Sequence, residues 1–63
     1  MPIIRQYRPV FIMDCWYVRA YDVASNAPMV NSGMDTSWTM HERNKALAYA
    51  NGINRANRYP LAS

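Results

Sequence analysis

The sequence predicts an α+β domain: a small antiparallel sheet of two or three strands with one C-terminal helix packed on one face. Three observations predict it. Residues 10–23, "VFIMDCWYVRAYDV", contain no Gly, Pro, Asn or Ser and are rich in Val, Ile, Phe, Trp and Tyr, the residues that fit a pleated, half-buried surface. The "ASNAPM" that follows concentrates turn formers, with Asn26 and Pro28 punctuating it. From Thr39 the chain turns alanine-rich behind an S/T-x-x-E signature, which marks a helix start.

Taken in order, "PIIRQYR" at residues 2–8 reads as an edge strand, because Pro2 and Pro9 lack the N–H that an interior strand donates. Residues 10–23 read as the main strand. Continuous alternation puts Val10, Ile12, Asp14, Trp16, Val18 and Ala20 on one face and Phe11, Met13, Cys15, Tyr17, Arg19, Tyr21 and Val23 on the other. Fourteen residues is long for a strand, so a bulge or break is expected near Asp14. "MVNSGMD" at 29–35 reads as a second, weaker strand with a bend at Gly33, and "TSWT" as a further extended segment.

The helix is expected to begin at Thr39, capped reciprocally with Glu42, while Trp38 stacks on Arg43. Ala46, Leu47, Ala50 and Ile53 then share a face at helical spacing, and the two alanines let the helix lie close to the sheet. Tyr49 sits at the edge of that face. His41, Asn44, Ala48, Asn51 and Arg55 form the opposite, outer face. Arg55 and Arg58 suit the negative end of the helix dipole, and Pro60 stops any continuation. Gly52 marks an early end or a close contact.

Sixty-three residues make one domain, 1–63. A chain of this size buries only about 60% of the surface it exposes when unfolded, so its core is marginal. One cysteine, Cys15, excludes an intramolecular disulfide, and one Cys with one His cannot complete a structural zinc tetrahedron. Homodimerisation is the remaining common remedy. The longest apolar run, Pro9 to Met13, is far short of the roughly 20 residues of a membrane span. No membrane association is therefore expected, and a lone cysteine suits the cytosol.

The residues that carry chemistry are sparse. Cys15 and His41 are the one Cys–His combination, and nothing local activates the thiol. The carboxylates Asp14, Asp22, Asp35 and Glu42 do not pair at a catalytic spacing, and two glycines cannot build a phosphate loop. The expectation is a non-enzymatic protein with no catalytic residue, metal or cofactor. Its aromatic content is more informative: Tyr17, Arg19 and Tyr21 alternate on one strand face, which is core with Arg19 at its margin if the helix covers it, and if exposed is an aromatic and cationic platform suited to anchoring a protein partner or stacking bases.

The order of strand, turn, strand and capped helix, with "WYVRAYD" early and "SWTMHERNKALAYANGIN" late, resembles small accessory proteins of temperate enterobacterial phages. Over residues 14–57 it also resembles, more loosely, the arm-type DNA-binding module of phage tyrosine recombinases. In that module a short sheet enters the major groove with a helix behind it. The glycine turn and dense cations of that reader are missing here. The first resemblance implies a modulator or inhibitor of a host protein. The second implies nucleic-acid contact through Tyr17, Arg19 and Tyr21.

The net charge of +3 permits an acidic partner without demanding one. The leading expectation is a protein-binding module with Trp16, Tyr17 and Tyr21 as anchors and Tyr17, Arg19, Tyr21, Asn44, Asn51 and Arg55 as candidate binding residues. The alternative is a small nucleic-acid-binding protein in which Arg5, Arg8 and Arg19 meet phosphates. Arg19 between two tyrosines is awkward in a small core, since an unpaired buried cation is costly. The Tyr17–Arg19–Tyr21 face is therefore expected to be at least partly exposed, as a binding surface or a dimer interface, and the helix to cover Trp16 and Val18.

Overall fold

The computed structural model describes residues 4–30 and 36–63. It has a small antiparallel sheet and one C-terminal helix: β1 (Arg5–Ile12), β2 (Cys15–Asp22), β3 (Ala27–Pro28), β4 (Ser37–Thr39) and α1 (Arg43–Ala56). β2 is central. β1 pairs along its whole length on one side, from Arg5 opposite Asp22 to Ile12 opposite Cys15. The other side is shared: β3 pairs with Tyr21 and Asp22, and β4 with Cys15 to Tyr17.

The break expected near Asp14 is there, but it is a reversal of the chain and not a bulge: the stretch at 10–23 is two strands joined at Met13 and Asp14. Both residues have positive φ, 50° and 65°, and they form the two-residue loop between the Ile12–Cys15 pair. Positive φ at both positions matches a type I′ turn, whose twist suits a hairpin. The turn is built without the Asn-Gly that normally announces it, and this is why the sequence shows a break there without showing that the chain reverses. It also reverses part of the expected facing. Val10 lies opposite Tyr17 and Ile12 opposite Cys15, so these two aliphatic residues share the face of Tyr17 and Arg19 rather than that of Trp16 and Val18.

The edge strand expected at 2–8 is found from Arg5, but it runs on to Ile12, through residues expected in the main strand. Tyr7 directs both its N–H and its C=O away from β2, to Asn54. By alternation Pro9 also turns its donor-less nitrogen outward, where no ladder bond is lost. The loop from β2 to β3 is an Asx turn, with Asp22 Oδ1 accepting from Ala24 N–H at 3.0 Å. It closes through Asn26 at φ 58°. β3 ends before the strand expected at 29–35. Met29 and Val30 are not in a strand, and residues 31–35, including the expected bend at Gly33, lie outside the described residues.

α1 packs against β1, β2 and β4. Val18, Ala46 and Ala50 form the core, with Tyr7, Trp16 and Trp38 packed around them. Trp38 meets Tyr49, ring centroids 5.2 Å apart, and Arg43 lies over Trp16 at 5.6 Å. The expected Trp38–Arg43 stack is therefore replaced by two separate aromatic contacts.

The helix starts later than the capping signature suggests. Thr39 is the last residue of β4, and Glu42 occupies the N-cap without a side-chain cap bond. Half of the expected box survives: Glu42 Oε1 accepts from the Thr39 N–H at 3.0 Å. The Thr39 hydroxyl, however, donates to the same oxygen at 2.9 Å instead of capping a helical N–H. At the far end Arg58 adopts φ 60°. Tyr59 N–H bonds to Asn54 C=O and Arg58 N–H to Arg55 C=O, the two bonds of a Schellman motif. This motif ends the helix before Pro60 is reached. Gly52 marks neither an end nor a close contact: it is exposed inside the helix, and nothing lies within 4 Å of where its Cβ would be.

Candidate binding face

The helix covers the face of Val18, which is fully buried with Ala20 beside it at 1% exposure. Strand alternation then puts Cys15, Tyr17, Arg19 and Tyr21 of β2 on the opposite face, with Gln6, Arg8, Val10 and Ile12 of β1. Among the described residues no secondary-structure element packs over this second face. The expected placement of Tyr17, Arg19 and Tyr21 away from the helix, and of Trp16 and Val18 beneath it, matches this arrangement.

The face has two halves. Toward the hairpin turn it is apolar: Val10 beside Tyr17, then Ile12 beside Cys15. Ile12 is 44% exposed, and Met13 at the turn is 90% exposed. Phe11 is also exposed at this end, on the helix side of the sheet, where its ring meets Trp16 at a tilt, with centroids 5.0 Å apart.

The other half is cationic. Arg8 and Arg19 are directly cross-strand partners, and like charges so placed repel. Arg8 is fixed by three contacts. Its Nε donates to Gln6 Oε1 at 2.7 Å, its Nη1 to Asn26 Oδ1 at 2.6 Å, and its guanidinium lies 4.5 Å over the Tyr21 ring. Arg19 has none of this. Its Nε is enclosed and has no hydrogen-bond partner. The ion pair among the described residues joins Lys45 to Glu42 at the helix start and involves neither arginine.

The helix candidates do not join this face. Asn44 and Arg55 are exposed on α1, on the far side of the sheet and about 16 Å apart at 1.5 Å per residue. Asn51 was expected on the same outer face, but it is half-buried and turned inward. Its Oδ1 accepts from Ala62 N–H at 2.7 Å and its Nδ2 donates to Ala62 C=O at 2.9 Å. With Gln6 and Arg43, which donate to the Leu61 and Ser63 carbonyls, it straps residues 60–63 along the domain beside a cleft of about 280 Å³. Asn51 is therefore a structural clamp, and its amide is not free for a partner.

Two participants escape a reading of the sequence by strands. Gln6 and Asn26 set the Arg8 side chain, yet they come from an edge strand and a turn. Only the hairpin register brings them to Tyr21. Cys15 is a half-buried free thiol on the apolar half, and His41 is exposed beyond β4. Among the described residues no three His, Cys, Asp or Glu side chains are grouped to hold a metal ion, and no helix is long and apolar enough to cross a membrane.

No protein-family model, curated protein or solved structure matches this chain. Its own geometry therefore carries the functional argument.

Proposed function

We propose that this protein is a non-catalytic protein-binding module that docks through the sheet face opposite the helix. One observation carries the reading: that face sets an aliphatic patch, Val10 and Ile12 with Tyr17, directly beside the Arg8–Arg19 pair, with no carboxylate to neutralise it among the described residues. A protein surface supplies both complements at once, an apolar side chain for the first half and an acidic one for the second. Nucleic acid suits the cationic half alone. A strand carries a charge on every nucleotide, and the adjoining half offers no cation to a second phosphate. The Tyr21 ring face, which a base would stack on, already carries Arg8. Engagement of a host protein in this way is the role that likeness to a phage accessory protein implies.

Capture experiments with the full chain as bait test the reading. Ile12→Ser and Arg19→Glu should each abolish capture from nuclease-treated lysate while leaving the far-UV circular dichroism unchanged, and Arg55→Ala should capture as the unaltered chain does. Loss of capture on nuclease treatment would favour nucleic acid. Capture that survives Arg19→Glu but not Arg55→Ala would move the surface to the outer helix face at Asn44 and Arg55.

A further inference from the structure

We infer that Arg8 and Arg19 together form a receiving site for a single carboxylate side chain, the acidic anchor of the partner. The inference rests on the docking reading above and names the chemistry of its charged half.

The two guanidinium groups are unequal, and the inequality is the argument. Arg8 is held in place by Gln6, Asn26 and the Tyr21 ring. Two of its nitrogens are engaged, and its second terminal nitrogen, Nη2, makes no hydrogen bond. Arg19 stands on the facing strand with an enclosed Nε that has no acceptor. That Nε is closed to a partner as well as to water, so the terminal nitrogens of Arg19, which are neither enclosed nor bonded, are what a carboxylate can meet. The cross-strand repulsion is relieved by one negative charge between the pair. A fixed arginine thus faces an unsatisfied one.

The anion is best supplied by a carboxylate. A planar guanidinium fork matches a planar carboxylate in a two-bond contact. A phosphate held at a protein surface commonly draws on main-chain N–H groups from a helix start or a nest. The backbone N–H groups of Arg8 and Arg19 lie in the sheet and are used by the ladder. A second copy of this chain laid face to face across a two-fold axis would bring four guanidinium groups together, and charge opposes that occupant.

The test is a nuclear magnetic resonance titration of the full chain, reading the Nε–Hε signals of Arg8 and Arg19 and the methyl signals of Val10 and Ile12. The probes are a capped Leu-Glu-Leu-Glu peptide, its Leu-Gln-Leu-Gln analogue, inorganic phosphate and a single-stranded decanucleotide. The Glu peptide should move the Arg19 Nε–Hε signal saturably, and the Gln analogue should leave it in place. Arg19→Gln and Arg8→Gln should each weaken Glu-peptide binding about tenfold or more, as expected for loss of a charge-assisted contact. Arg19→Lys, which keeps the charge and loses the fork, should also weaken it.

Equal response to the Glu and Gln peptides, or tighter saturation by phosphate or the oligonucleotide, would overturn the carboxylate assignment. If Val10 and Ile12 respond to both peptides while Arg19 responds to neither, docking at this face stands and the carboxylate site falls. If no signal on the face responds to any probe, the carboxylate site falls as well, and the docking reading then rests on the capture variants alone.

Discussion

Asn54 holds the backbone of Tyr7 on both sides of its Cα. Its Oδ1 accepts the Tyr7 N–H at 2.7 Å and its Nδ2 donates to the Tyr7 C=O at 2.9 Å, although the two residues are 47 positions apart. Asn54 is fully buried, so the carboxamide replaces the strand that an edge lacks. Ala46 and Ala50 precede it at four-residue intervals and are also fully buried. Small side chains at 46 and 50 bring α1 close enough for a short amide to reach β1. The grip satisfies the outward N–H and C=O of Tyr7, which an edge strand otherwise leaves open to pairing with another chain.

Asn54→Ala should therefore destabilise the domain by about 2–4 kcal/mol, since it orphans a donor and an acceptor together. Chains of this size rarely hold more than roughly 3–5 kcal/mol, so the variant should be largely unfolded in a denaturant titration at room temperature. Asn54→Asp tests the cause more narrowly. A carboxylate still accepts the Tyr7 N–H but cannot donate to its carbonyl, and it faces the Asn51 Oδ1 that now receives a bond at 3.1 Å. Its stability should improve as pH falls and the carboxyl protonates. A stability unchanged by Asn54→Ala would show that the clamp contributes nothing.

The hairpin turn gives a second prediction. Met13 and Asp14 occupy left-handed conformations, which cost roughly 1–2 kcal/mol for a residue with a Cβ and less for Asp. Met13→Asn with Asp14→Gly supplies the residues that a type I′ turn prefers. The double variant should be more stable by about 1–2 kcal/mol, read as a rise in the unfolding midpoint. A fall would mean that the chain does not turn at these two residues.

Glycine stands at one helical position that has no use for it and is missing from another that does. Gly52 has open space around its missing Cβ, so Gly52→Ala should stabilise by about 0.5–1 kcal/mol through helix propensity. Arg58 is left-handed in the Schellman motif, so Arg58→Gly should stabilise by about 1 kcal/mol. Thermal melts of the two single variants and their combination check both. Because the sites lie in separate turns, the gains should add. A loss on Arg58→Gly would mean that the arginine side chain does more than its backbone costs.

These residues also show how far the sequence could be read. The α+β class and the separation of Tyr17, Arg19 and Tyr21 from Trp16 and Val18 were legible, because alternation within β2 does not depend on its neighbours. The hairpin was not, because Met-Asp carries no turn signature and strand-favouring residues flank it on both sides. Without the turn, Arg8 could not be set opposite Arg19, and Val10 and Ile12 were assigned to the wrong face. The inward alanines were legible from their spacing. Asn51 and Asn54 were not, because a buried amide looks polar in sequence and is satisfied by backbone far along the chain.

The last prediction concerns Glu42, where the expected capping box became a junction between β4 and α1. Lys45 Nζ donates to its Oε2 at 2.7 Å, and the Thr39 N–H and hydroxyl donate to its Oε1. The Lys45 contact first, then the two from Thr39, hold its carboxyl at about 2 against an ordinary 4.5. A folded-state value below the unfolded one stabilises the fold at pH above about 4.5, and that contribution is lost as pH falls toward about 2. The unfolding midpoint should drop across this window, and Glu42→Gln should flatten the drop while lowering the midpoint at neutral pH. The Lys45 side chain is 69% exposed, so its part should weaken in high salt, whereas the Thr39 contacts should persist. Thr39→Ala removes the hydroxyl and keeps the N–H, so its effect should be smaller than that of Glu42→Gln. Identical pH dependence in the unaltered chain and Glu42→Gln would show that the junction does not tie the helix start to the sheet.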